Sequence, residues 1–231
     1  MTELGEIALL SLRVAGVGVM FALPLAFFLA YVLARWRFPG RTLLSALVMM
    51  PLVMPPVVTG LVLLELFGPR GYLGGFLSNI GIEFGFRWTG AALAAGLVAL
   101  PLIVRPMRLA LEAVDPRLHE ALAVAGLGPW RRLLVIDMPM ALPGVMAGLV
   151  LGFAKGLGEF GATITFVASI PGETRTLSLA IYSALQSPNA GQLVFVLSAI
   201  SIAISISAVL ASEVMVEKIG KKLGHRRVDF A

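Results

Sequence analysis

The sequence contains no cysteine, which excludes a disulfide framework, a thiolate metal site and a cysteine nucleophile. Histidine is almost as scarce. His119 and His225 stand far apart with no carboxylate cluster around either, so no metal centre is expected. Charge is also thin: 13% of the 231 residues are charged and 58% are hydrophobic, with a mean hydropathy of +0.94. That balance excludes an ordinary soluble domain. The net charge of +5 does not imply nucleic acid, because the basic residues form short clusters between apolar runs instead of lining one polar surface. No glycine-rich phosphate loop ending in Gly-Lys-Ser/Thr is present, so the chain is not expected to bind ATP. No apolar run carries the ladder of acids that a proton-coupled carrier would use. Nor do a nucleophile and base, or a set of metal ligands, converge at membrane depth, so the chain is not expected to be an enzyme.

What the sequence has in abundance is long apolar runs. A membrane helix needs about 20 predominantly apolar residues, and five segments meet that need: about 8–34, 42–66, 88–110, 138–157 and 192–214. The expectation is an all-α integral membrane protein with a single transmembrane domain over residues 1–231, its first apolar run retained as a span because acids stand where a signal peptide would be basic. The break before the last span falls at Ser187-Pro188-Asn189-Ala190-Gly191.

An odd number of crossings puts the termini on opposite sides, and the excess of Lys and Arg on cytoplasmic loops chooses which. With the N-terminus outside, 13 of the 18 basic residues are cytoplasmic; the outer side keeps Arg13, Arg70, Arg87, Lys155 and Arg175. The predicted arrangement is therefore N-terminus out and C-terminus in. Trp36, Trp88 and Trp130 fall near the predicted interfaces. Pro51, Pro55 and Pro56, Pro101, and Pro143 interrupt the second, third and fourth spans. Each is compatible with a kink in a packed helix, and as a set they are compatible with backbone lining a pathway.

Between the third and fourth spans lies a cytoplasmic loop, 112–137, that includes most of the stretch EALAVAGLGPWRRLLVIDMP. Asp115 and Pro116 supply an N-cap and a first helical residue, and Gly126 supplies a stop, which predicts a short helix over 116–125. Leu118, Ala121, Leu122 and Ala125 share one face of it at helical spacing, with Arg117 and Glu120 away from its centre. Small side chains on an apolar face fit insertion into a partner's groove; lying flat on lipid is the other reading of the same pattern.

Further along, Gly156, Gly158 and Gly161 interrupt the fourth span, and Thr163 and Thr165 place hydroxyls on one side of its continuation. Backbone amides and hydroxyls there could accompany an oxyanion without holding it too tightly. Glu159 repels such an anion, and its place near membrane depth marks it as functional. Lys155, four residues earlier, is placed to pair with it. Arg70 and Arg175, on outer loops, are read either as steering charges or as solvated ones. The methionines around positions 49–54 and 138–146 are read as packing.

Two of these stretches resemble a known family. Glu120-Ala121, Gly126 and, after nine intervening residues, Ile136, Met138 and Pro139 resemble the EAA loop of ABC-importer permeases, with Leu122 and Met138 departing from its commonest form. The stretch GEFGATITF with its trailing IPGETRT is similar to the molybdate permeases of that family; the linker RWRFPGR and the prolines of MPLVMPPVVTG agree with the same type. The resemblance implies the type I importer permease (MetI-like) fold, with about five transmembrane helices and a short cytoplasmic coupling helix. It implies that Leu118, Glu120, Ala121, Leu122, Ala125, Gly126 and Pro139 engage a separate ATPase, and it makes Gly158, Glu159, Gly161, Thr163 and Thr165 candidates for the gate or pathway. The implied assembly is a permease homodimer in the lipid bilayer of the cytoplasmic membrane of a bacterium or archaeon, two ATPase subunits that bind ATP-Mg, and a periplasmic molybdate-binding protein. No cofactor or metal is implied for this chain, and no nucleic acid. Sulfate, thiosulfate or tungstate is the alternative cargo, and a channel or secondary transporter without an ATPase is the alternative of another class.

Overall fold

The computed structural model describes residues 3–188 and 190–228, with side chains described to 211 and at 214. Asn189 of the predicted break, and the side chains of His225 and of the basic residues of the C-terminal tail, lie outside the described set. Among the described residues every regular element is helical: α1 (Glu3–Arg35), α2 (Arg41–Val53), α3 (Pro56–Phe67), α4 (Gly74–Asn79), α5 (Trp88–Glu112), α6 (Pro116–Val124), α7 (Pro129–Arg132), a π-helical turn (Leu133–Asp137), α8 (Met138–Leu157), α9 (Gly161–Val167), α10 (Leu177–Leu185) and α11 (Gly191–Val228).

Four stretches are long and apolar enough to cross a membrane: α1, α5, the continuous run Pro129–Leu157, and Gly191–Ala211 of α11. The pair α2 and α3 makes a fifth crossing if counted as one, but it bends by 110° between them. The predicted second span is therefore not straight. Met54 is extended (φ −65°, ψ 144°) because a residue preceding proline is pushed out of the helical region, and Pro55-Pro56 prevents the helix from resuming at once. The remaining span prolines, Pro24, Pro51, Pro101, Pro106 and Pro143, are carried inside continuous helices.

The bundle is built around α5, which packs against both α1 and α8. Its composition explains this. Gly90, Ala91, Ala92, Ala94, Ala95 and Gly96 give a slender, fully buried face against which neighbouring backbones close in. A Cβ added at Gly96 would sit 2.5 Å from the Gly18 carbonyl oxygen of α1. On α8, Gly144, Gly148, Gly152 and Gly156 recur every fourth residue and form one stripe. A Cβ at Gly144 would lie 2.5 Å from the Pro106 carbonyl oxygen, and one at Gly148 would lie 2.9 Å from that of Ile103. In lipid, where apolar burial does not drive helices together, this close packing supplies the association. By contrast α11 has almost no buried side chains over its described span and sits at the periphery.

At one end of the bundle α1 stops, α2 starts, α5 stops and α8 starts. Arg41 fastens this end: its guanidinium donates to the Leu33 carbonyl at 2.6 and 3.0 Å and to Glu112 at 3.2 Å, and Arg108 pairs with Glu112 at 2.9 Å. At the other end Arg13 stacks 3.7 Å over the Trp88 ring, and Glu173 accepts from the Trp88 amide.

Candidate functional site

The loop between α5 and α8 folds as its end residues dictate. The Asp115 side chain accepts from the Arg117 amide at 2.9 Å, and Pro116 occupies the first turn. At the other end Gly126 takes φ +82°, the Gly126 amide donates to Ala123 and the Leu127 amide to Leu122. That pair of bonds is a Schellman closure, which needs the left-handed residue that glycine supplies. The predicted helix over 116–125 thus exists as α6, with Ala125 as its C-cap.

No residue of α6 is fully buried. Leu118, Glu120, Ala121 and Ala125 are exposed, as the predicted docking face requires. Leu122 differs: it is half-buried and shares the inward side of the helix with His119, one turn away. Its place on the outer face is taken by Val124, 90% exposed, which sequence reasoning missed although its position one turn beyond Ala121 was the available signal. Trp130, also exposed, stands close behind on α7. Pro139 stands in the first turn of α8 and is exposed. A solvated helix with Leu118, Ala121 and Val124 uncovered, stopped by its own caps and barely packed on its own chain, is an unpartnered apolar face at the end of a membrane bundle.

The second candidate region is the break between α8 and α9. Its depth is set by packing: Gly156 lies against Ala15 and Ala95, and Gly90 lies against Val167, so Gly158, Glu159 and Gly161 fall beside the half of α5 nearer Trp88. Glu159 is buried, and Lys155 Nζ donates to its Oε2 at 2.9 Å. The other oxygen, Oε1, accepts from the Ala162 amide at 3.0 Å and so caps the start of α9. That amide is therefore already occupied, as are those of Gly158 and Glu159, which donate to the Ala154 and Gly156 carbonyls. The Thr165 hydroxyl bonds to the Gly161 carbonyl at 2.9 Å, and Thr163 is buried.

The bent pair meets this break. A Cβ at Gly60 of α3 would sit 2.5 Å from the Ala162 carbonyl oxygen, and one at Gly161 would sit 2.7 Å from Pro56 Cβ. The Thr59 hydroxyl on α3 is buried with no hydrogen-bond partner. The structure thus brings Gly161 and Thr165 against α3, with Glu159 and Lys155 behind the crossing. None of the predicted coupling residues is near it. Among the described residues no group of His, Cys, Asp and Glu is disposed to hold a metal ion.

Compared with known proteins, residues 22–221 match the family described as binding-protein-dependent transport system inner membrane component. The chain is 47% identical to the molybdenum transport system permease protein ModB of Haemophilus influenzae over 220 residues, 95% of this chain and 96% of that protein. It is 48% identical to ModB of Escherichia coli over 209 residues, 90% of this chain and 91% of that one. The sulfate transport system permease protein CysT of Escherichia coli is 37% identical over 158 residues, 68% of this chain and 57% of that protein. Among solved structures, the fold resembles a bacterial ABC transporter that imports alginate (TM-score 0.72, 18% identity, 95% of this chain and 80% of that one). It also resembles an amino acid ABC transporter (TM-score 0.65, 16% identity, 94% of each chain).

Proposed function

The chain belongs to the family of binding-protein-dependent transport system inner membrane components, and from that premise we propose that it is the permease subunit of an ATP-driven importer of molybdate. The observation that carries the reading is α6: an exposed helix between two membrane-spanning segments, closed by its own caps at Asp115 and Gly126, with Leu118, Ala121 and Val124 uncovered. Such a face calls for a cytoplasmic partner. The chain lacks a phosphate loop of its own, so the partner is the ATPase, which binds ATP-Mg while this chain holds no cofactor. The nearly full-length similarity to permeases named for molybdenum transport supports molybdate as cargo. The likeness to the sulfate permease covers less of both chains.

In this reading two copies face each other about a two-fold axis, with two ATPase subunits below and a periplasmic molybdate-binding protein above. The N-terminus is outside and the C-terminus in the cytoplasm, in line with the positive-inside distribution. Closure of the ATPases on ATP moves the two α6 helices, and the motion reaches α8 and the α3–α9 crossing, opening the pathway to one side at a time. Lys155 and Glu159 are mutually neutralising at membrane depth, so the break does not present the dianion with a bare carboxylate.

The test is purification of the tagged chain with its co-expressed ATPase and measurement of ATP hydrolysis with purified binding proteins. Molybdate-loaded binding protein should stimulate hydrolysis and sulfate-loaded protein should not. Stimulation by sulfate alone would overturn the cargo, and failure of any ATPase to co-purify would overturn the importer reading.

A further inference from the structure

Asp137 is the most buried acid in the described chain, with its side chain 1% exposed. It ends the π-helical turn Leu133–Asp137 that leads into α8, and two further elements, α1 and α6, reach its side chain. Arg35, the last residue of α1, donates through Nη2 to Asp137 Oδ1 at 2.7 Å. His119 Nε2 of α6 lies 3.2 Å from the same oxygen, an ion pair when the imidazole is protonated, without hydrogen-bond alignment. Arg132 of α7 donates to the backbone carbonyl of His119 at 3.3 Å and so ties α7 to the same residue. Asp137 Oδ2, Arg35 Nε and Arg132 Nε are buried with no hydrogen-bond partner.

Buried acids are rare unless paired, and a pair with unsatisfied polar atoms is a poor way to gain stability. Packing alone gives no reason for it here, because apolar side chains would fill the same space at less cost. The position does give one. Among the described residues, the polar links from α6 to anything beyond the short segments flanking it run through His119, and helix packing on α6 is sparse. The π turn, an extra-residue distortion of the helix, buries Ile136 and Asp137 and leaves Leu134 and Val135 exposed.

From this convergence we propose that Asp137 is the strut of the transporter: a positioning residue which, held between Arg35 and His119, transmits displacement of α6 to α8 and α1. The proposal rests on α6 being the coupling helix and adds the route by which its motion enters the membrane. Without the strut α6 follows the ATPase while α8 lags.

The test uses the complete transporter in lipid nanodiscs. The chain has no cysteine, so a single cysteine at exposed Arg117 of α6, or at exposed Leu151 of α8, carries a spin label whose distance to its symmetry mate is measured with and without nucleotide trapping by vanadate. With Asp137 intact, both distances change. In Asp137→Asn, which keeps shape and removes charge, the change at position 117 should persist while that at 151 falls about threefold or more. Asp137→Glu should restore it in part. Adding Arg35→Gln to Asp137→Asn should cause no further loss, since the partners act as one unit. An unreduced change at 151 in Asp137→Asn would overturn the proposal, as would additive losses in the double variant or a lower yield with the change at 151 intact. None of these readings depends on the cargo: a parent transporter that changes shape with nucleotide but does not move molybdate would refute the cargo and leave the strut standing.

Discussion

Glu159 shows how one side chain is committed at both of its oxygens. The Lys155 ammonium holds Oε2 and the α9 amide of Ala162 holds Oε1, so removing the lysine leaves a buried carboxylate only partly compensated. Breaking a buried pair on one side costs about 3–5 kcal/mol, whereas replacing both partners is often near neutral; Lys155 is partly exposed, which places its loss at the lower end. Lys155→Met should therefore lower the melting temperature of the purified protein more than Lys155→Met combined with Glu159→Gln. Equal melting of the two variants would mean the pair is solvated. The pairing was legible from the four-residue spacing. The cap was not, because it depends on α9 restarting at Gly161. Still less legible was the meeting of Arg35 with Asp137, which lie 102 residues apart and are joined only by the packing of α1 beside the start of α8.

Among the elements, α6 was readable to within one residue because its ends are set by local chemistry: a carboxylate N-cap, a first-turn proline and a left-handed glycine. What local pattern could not decide was which side of α6 faces its own chain, and Leu122 proved to be on it. Two variants probe the docking role. Ala121→Arg places a long charged group on the exposed face and should block docking. Gly126→Val removes the residue that accommodates φ +82° and should misdirect the chain behind it, at a cost of about 1 kcal/mol or more. Both should insert normally and lose ATP hydrolysis stimulated by the binding protein, and unimpaired stimulation in both would exclude α6 as the coupling element. On α8 the glycine stripe yields a contrasting prediction. Gly148→Leu drives a side chain into the Ile103 backbone and should destabilise the fold itself by about 1–3 kcal/mol, read as a lower melting temperature. The stripe stood in the sequence at fourth-residue spacing, but its significance appears only when α5 lies against it.

For the whole molecule, the all-helical membrane architecture and the four apolar helices, with a fifth crossing if α2 and α3 count as one, were legible from hydropathy, since lipid demands long apolar helices and little else. The 110° turn between α2 and α3 was not. The prolines mark a break but not its angle, and the close approach of Gly60 to Ala162 belongs to tertiary packing that the local pattern does not carry. Orientation is tested by labelling: a cysteine at Val124, 90% exposed, should react with an impermeant reagent only from the cytoplasmic side, and one at exposed Gly172 only from outside. The reverse pattern would invert the topology and remove α6 from reach of an ATPase.

The central claim is that this chain makes a pathway for molybdate that opens only when ATP is spent at its cytoplasmic face. The most direct measurement is accumulation of radiolabelled molybdate in proteoliposomes containing the purified permease and ATPase, with binding protein on the periplasmic side and ATP on the other. Uptake that requires both ATP and binding protein, and is abolished by Ala121→Arg, is the predicted result. Flux of similar size without ATP or without binding protein, or uptake unaffected by Ala121→Arg, would contradict it.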